Sequence, residues 1–97
     1  MPTYISLLKF TDQGIRSIKD SPKRAEAFRS LCEKLGGRVK DLYWTMGRYD
    51  IVTIVEAPDD GTINAILYSV ASLGNARTET LKASTAQEMN QAIARMA

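Results

Sequence analysis

The sequence contains no histidine and a single cysteine, Cys32. The absence of histidine excludes catalytic triads that use histidine, histidine-ligated metal sites and a histidine proton shuttle. One cysteine cannot form an internal disulfide, so we expect a reducing compartment and take the cytoplasm as the location. Cys32 lies on the apolar stripe of a predicted helix, where a free cysteine is expected to be an inert core residue. We therefore expect no metal and no other cofactor.

Long apolar runs and strong charge are also missing. Nowhere do eighteen apolar residues follow one another, and the N-terminus shows no basic segment leading into an apolar run, so we expect neither a membrane span nor a signal peptide. Lysine and arginine number 13 against 11 acidic residues, a net charge of +2 that is too small and too evenly spread to predict nucleic-acid binding. With 97 residues, 44% of them hydrophobic, the chain fits one globular domain over residues 1–97.

Four segments have the pattern of β-strands. Residues 4–10 and 51–55 carry apolar side chains on both faces, which is typical of strands in the middle of a covered sheet. Residues 39–46 and 76–83 are more polar and are predicted to be edge strands.

Three segments have the pattern of helices, and a polar connection over residues 11–20 contains a short helical piece. In the first helix, which ends at Leu35, we expect the Ser21 hydroxyl to cap the free N–H groups and proline to occupy the first position. The second helix starts after Asp59-Asp60, which supply its cap, and ends at Gly74. A capping box, either Ser84 with Gln87 or Thr85 with Glu88, opens a C-terminal helix with the apolar stripe Ala86, Met89, Ile93 and Met96.

The order of these elements is the ferredoxin-like βαββαβ pattern followed by a C-terminal helix. Right-handed crossovers place the first and third strands in the centre of a four-stranded antiparallel sheet, in an α+β fold. Both main helices then cover one face, yet the central strands are apolar on the other face as well. The C-terminal helix or the sheet of a second copy could cover that face, and we favour a homodimeric α+β barrel because a small domain tolerates little exposed apolar surface.

The stretch Gly47-Arg48-Tyr49-Asp50 joins the second and third strands and is rich in aromatic and charged groups. Glycine at its start fits a two-residue type II′ turn, which requires positive φ there. A two-residue loop pairs Met46 with Tyr49, and a four-residue loop pairs Met46 with Ile51. Both put Tyr49 on the face of Ile51 and Asp50 on the opposite face.

Three segments together resemble the GYD domain family, whose name describes a glycine-x-tyrosine-aspartate pattern matched here by Gly47, Tyr49 and Asp50. The segments are YWTMGRYDIV at residues 43–52, EAPDD at 56–60 and GNARTETL at 74–81; with Pro2-Thr3-Tyr4-Ile5, the resemblance covers nearly the whole chain. It implies a ferredoxin-like, dimeric α+β barrel protein of a mostly bacterial family, and it implies no particular reaction.

The hairpin and the segment 74–80 are also similar to the effector-binding domains of Lrp/AsnC-type regulators, which share this barrel and bind amino acids between subunits. The helix-turn-helix of those regulators is missing, so no nucleic-acid partner is expected. Other dimeric α+β barrels are cofactor-free monooxygenases or haem-degrading proteins. Haem enzymes of that class commonly use a histidine ligand, which this sequence does not contain.

Two interpretations of the hairpin remain open. In the structural one, Tyr49 closes the end of the sheet with its hydroxyl bonded to backbone or water, and Asp50 ties the turn or pairs with an arginine such as Arg48 or Arg77. In the functional one, five residues line a small-molecule cavity at the end of the barrel, where arginine suits a carboxylate and aromatic rings suit an apolar body: Trp44, Arg48, Tyr49, Asp50 and Arg77.

We therefore predict a homodimer or higher homo-oligomer that binds a small molecule or serves as a regulatory or assembly module, with no membrane partner. The alternative is a cofactor-independent enzyme, resembling a monooxygenase or isomerase, that uses Tyr49 and Asp50 in the barrel cavity. A purely structural assembly protein is the third possibility.

Overall fold

A computed structural model describes residues 1–97 and contains a four-stranded antiparallel sheet in the order β2-β3-β1-β4. The two central strands are the first and third in the chain, which confirms the predicted ferredoxin-like α+β fold. The elements are β1 (Thr3–Phe10), α1 (Asp12–Arg16), a 3-10 turn (Ile18–Asp20), α2 (Ser21–Lys34), β2 (Arg38–Trp44), β3 (Ile51–Glu56), α3 (Asp60–Ser72), β4 (Ala76–Ala83) and α4 (Ala86–Ala94).

Most element boundaries follow the local signals in the sequence. The Asp59 carboxylate accepts the Thr62 N–H at the start of α3, and Gly74 takes a positive φ of 83° after its end. Thr85 and Glu88 form the complete capping box of α4, so the second of the two predicted boxes is the one that forms.

Two predicted boundaries were wrong. β2 ends at Trp44 and not at Met46, because the strand pairing with β3 stops at the pair Trp44–Ile51. Ser21 is the first residue of α2, and its hydroxyl accepts a hydrogen bond from the Trp44 indole instead of capping the helix.

The core lies between α2, α3 and one face of the sheet. Alternate residues of the central strands point into it, among them Tyr4, Ser6, Thr53 and Val55, all at most 2% exposed. Cys32 of α2 is fully buried, as predicted. Burial raises the pKa of its thiol to about 11, so the reactive thiolate is scarce at neutral pH.

The opposite face of the sheet, which we call the open face, has no helix over it. Its central side chains are apolar and half-buried, and they are flanked by Tyr43, 58% exposed, and Leu81, 48% exposed. The central residues are Ile5 and Leu7 of β1 with Val52 and Ile54 of β3. Every residue of α4 is exposed, so this helix does not cover the open face.

No helix in the structure is both long enough and apolar enough to span a bilayer.

Tyr4 provides a pH-dependent test of the core. Burial, together with a hydrogen bond from its hydroxyl to the Asp60 carboxylate, raises the pKa of Tyr4 from 10.0 to about 12. The native state therefore holds this proton more tightly than the unfolded chain does. The resulting stabilisation is complete below pH 10 and is lost as the pH rises towards 12. We expect the melting temperature of the wild type to fall more steeply over this interval than that of Tyr4→Phe; parallel curves would contradict this placement of Tyr4.

Candidate functional site

The hairpin between β2 and β3 is closed by a hydrogen bond from the Thr45 N–H to the Asp50 carbonyl, 2.8 Å long. The register, with Trp44 opposite Ile51, is the one that a two-residue loop predicts. Gly47 has a φ of 107°, a conformation that residues with a Cβ rarely adopt, and Met46 is 99% exposed. The tip therefore projects from the sheet into solvent.

Asp50 fastens the hairpin to the neighbouring central strand. Its carboxylate accepts the backbone N–H of Phe10 at 2.8 Å, and its own N–H donates to the Leu8 carbonyl at 2.8 Å. Neither contact belongs to the regular β1–β3 ladder, which ends at the pair Leu8–Ile51. The carboxylate pairs with no arginine. Asp50 thus supplies the Phe10 N–H with an acceptor that the ladder no longer provides. This contact agrees with the structural interpretation, in which Asp50 holds the turn in place.

Tyr49 reaches across the sheet in a direction that strand alternation does not predict. Its hydroxyl donates to the Glu79 carboxylate of β4 at 2.5 Å, and this hydrogen bond raises the pKa of Tyr49. Glu79 lies opposite Leu7 and therefore on the open face. The prediction that Tyr49 shares the face of Ile51 was wrong, because regular pairing stops at Ile51 and the chain before it no longer alternates.

Gly47, Tyr49 and Asp50 together form what we call the clasp. Gly47 permits the turn, Asp50 joins the hairpin to β1, and Tyr49 crosses over to β4. The Thr45 hydroxyl adds a bond to the Tyr49 carbonyl at 2.8 Å. The motif therefore links all four strands at one end of the sheet.

The other predicted site residues do not converge with the clasp into one pocket. Trp44 is 47% exposed and donates from Nε1 to the Ser21 hydroxyl at 2.9 Å, on the side of the sheet that the helices cover. Arg48 is exposed beside Tyr49, whose pKa it lowers slightly against the larger effect of Glu79. Arg77 is exposed on β4, opposite Lys9. A ligand-binding role for these five residues stays a prediction.

A cavity of about 330 Å³ lies between the sheet and the two main helices, where sequence reasoning had placed no site. None of the five predicted residues lines it. Eleven of its sixteen lining residues are hydrophobic, and α2 contributes Ala25 and Ala27. Ala25 is half-buried and its small side chain leaves space beneath the helix, whereas Ala27 is exposed, so Ala25 was the one signal in the sequence that could have indicated the cavity.

The sheet order, the two covering helices and the uncovered face define a ferredoxin-like α+β protein. The chain matches the GYD domain over residues 4–93 and belongs to the GYD domain family. It is 37% identical over 84 residues to the glutamine synthetase and cystathionine beta-lyase binding protein of Thermus thermophilus, an alignment that covers 86% of this chain and 88% of that protein.

Solved structures show the same fold. The crystal structure of TTHA0845 from Thermus thermophilus superposes with a TM-score of 0.58 at 26% identity, over 89% of this chain and 96% of that chain. The crystal structure of FFRP-DM1 superposes with a TM-score of 0.63 at 19% identity, over 87% of this chain and all of that chain. The leucine response regulatory protein LrpA of Mycobacterium tuberculosis superposes with a TM-score of 0.57 at 14% identity, over 87% of this chain and 51% of that chain. At 19% and 14% identity, the last two structures show that the fold is shared.

Proposed function

We propose that this protein is a homodimeric module that binds a metabolic enzyme and acts in the cytoplasm. The observation that carries the proposal is its relationship, over most of both chains, to a protein named for binding glutamine synthetase and cystathionine beta-lyase. The single cysteine, Cys32, forms no disulfide, which suits a reducing compartment.

The open face supports self-association. Two neighbouring central strands place Ile5, Leu7, Val52 and Ile54 side by side on it, and monomeric proteins rarely leave a continuous apolar surface of this kind in water. A twofold axis that runs parallel to the open face, between the two sheets, would bring this apolar centre against its own copy. The Arg38–Glu56 pair at one end, with 2.6 Å between Nε and Oε1, and the Tyr49–Glu79 bond at the other provide a polar rim.

The surface that we assign to the partner enzyme is α4. Its capping box stabilises it locally, and its apolar side chains are exposed, Met89 at 55% and Ile93 at 51%. Met96, which was predicted on the same stripe, lies two residues beyond the end of α4 and is 74% exposed. Amphipathic helices bind in the grooves of partner proteins through residues spaced in this way. Methionine side chains are flexible and adapt to varied surfaces.

A binding assay tests this function. Immobilised protein is expected to bind glutamine synthetase or cystathionine β-lyase purified from the same organism. Because Ile93→Glu places a charge in an apolar contact, this variant is expected to weaken the binding at least about tenfold. The matched control is Asn90→Glu, which adds the same charge to α4 beside the stripe.

Two outcomes would contradict the proposal. If neither enzyme binds the wild type, the proposal that this protein binds a metabolic enzyme is wrong. If Ile93→Glu binds the enzyme as tightly as the wild type does, α4 is not the enzyme-binding surface. If Ile93→Glu dissociates the homodimer, α4 belongs to the self-association surface and not to the partner site.

A further inference from the structure

The cavity between the sheet and helices α2 and α3 contains one polar group without a partner. Thr53 of β3 is 1% exposed and lines the cavity, and its hydroxyl makes no hydrogen bond. A buried hydroxyl without a partner is costly and uncommon in native proteins.

Three other polar side chains of the lining each make a hydrogen bond. The Ser21 hydroxyl accepts from Trp44, and the Ser69 hydroxyl donates to the Ala65 carbonyl at 2.8 Å. The Asn75 side chain accepts from Gln13 at 2.9 Å.

Arg24, the one charged residue of the lining, donates to backbone carbonyls of the segment that precedes α2. Its guanidinium nitrogens lie 3.0 Å from the Ser17 carbonyl and 3.4 Å from the Gly14 carbonyl. Arg24 therefore holds the segment before α2 beside the cavity. Because its guanidinium is already hydrogen-bonded to these carbonyls, a molecule in the cavity needs no negative charge.

The lining of this space is mainly apolar, and Thr53 Oγ1 is its one buried side-chain polar atom without a hydrogen-bond partner. The volume of about 330 Å³ is within the range of small-molecule sites. Because Ala27, Ser69 and Leu73 belong both to the lining and to the exposed surface, the cavity reaches solvent between α2 and α3.

We propose that this cavity binds a small, neutral, mainly apolar molecule carrying one hydroxyl or carbonyl oxygen, and that the Thr53 side chain rotates about χ1 on binding to turn its hydroxyl, which has almost no accessible surface in this structure, toward that oxygen. The apolar walls hold the body of the ligand, and Thr53 orients it. The cavity lies on the helix side of the sheet, opposite the open face. Ligand binding can therefore be measured separately from self-association and from enzyme binding.

The test uses two probes that differ by one hydroxyl, 1-naphthol and naphthalene, titrated against the wild type and Thr53→Val. The valine variant keeps the side-chain shape but removes the hydroxyl. We expect it to bind 1-naphthol about 3- to 10-fold more weakly, as the loss of one hydrogen bond predicts. We expect it to bind naphthalene at least as tightly as the wild type. Equal affinity of 1-naphthol for both proteins would overturn the assigned role of Thr53.

A second variant locates the binding site. Ala25→Leu extends a side chain into the cavity and is expected to abolish saturable binding of both probes, whereas Ala65→Leu, an exposed position on α3 outside the lining, is expected to leave it unchanged. Ser69→Leu fills the cavity from α3 if Ala25→Leu does not fold. Binding that survives a folded cavity-filling variant, or no saturable binding to the wild type, would overturn the proposal.

Discussion

Replacing Ile54 by glutamate is expected to convert the dimer into a monomer. Ile54 lies at the centre of the open face, opposite Ile5 in the β1–β3 register. In the proposed dimer its side chain is covered by the second copy, so the variant would bury a carboxylate that has no partner. An uncompensated buried charge costs several kcal/mol, and a loss of about 3 kcal/mol weakens association more than 100-fold.

Sedimentation equilibrium of Ile54→Glu and wild type at the same micromolar concentration measures this effect. Tyr68→Glu is the matched control, because Tyr68 is an apolar side chain of α3, 74% exposed and outside the open face. The control is expected to keep the mass of the wild type. An Ile54→Glu variant that folds and also keeps that mass would contradict the proposed interface.

Replacing Asp50 by alanine is expected to lower the free energy of unfolding by about 2 kcal/mol, because the half-buried Phe10 N–H loses its charged acceptor. For a domain of this size the melting temperature would fall by roughly 8 to 16 °C. Thermal unfolding followed by circular dichroism, at equal protein concentration, measures it.

Asp50→Asn separates the structural interpretation of Asp50 from a ligand role. An amide oxygen can still accept the Phe10 N–H, so we expect this variant to retain most of the stability that alanine loses. If alanine leaves the melting temperature within about 1 °C of the wild type, the clasp does not stabilise the hairpin.

The architecture was predictable because periodicity and local signals agreed. The apolar residues on both faces of β1 and β3 indicated central strands, and the structure places both strands there. The caps formed by Asp59 and by Thr85 with Glu88, which depend only on neighbouring residues, were also predicted from the sequence.

The failures concern side chains whose partners are distant in the chain. Ser21 has the composition of a helix cap, yet its hydroxyl accepts from Trp44, which follows it by 23 residues. The direction of Tyr49 depends on Glu79, across two strands, and on the point at which the β2–β3 ladder ends. Local propensity contains neither piece of information.

The cavity was not predictable for a related reason. Its existence depends on how far α2 and α3 lie from the sheet, and this spacing is a property of the packed elements together. The sequence shows Thr53 as an ordinary β-branched strand residue. Only the packed structure shows that its hydroxyl is buried without a partner.

The central claim is that a second copy of the chain covers the open face. Light scattering coupled to size-exclusion chromatography at micromolar concentration tests it most directly. We predict a mass of twice the 10.7 kDa of the chain. A mass of 10.7 kDa throughout the micromolar range would contradict the account.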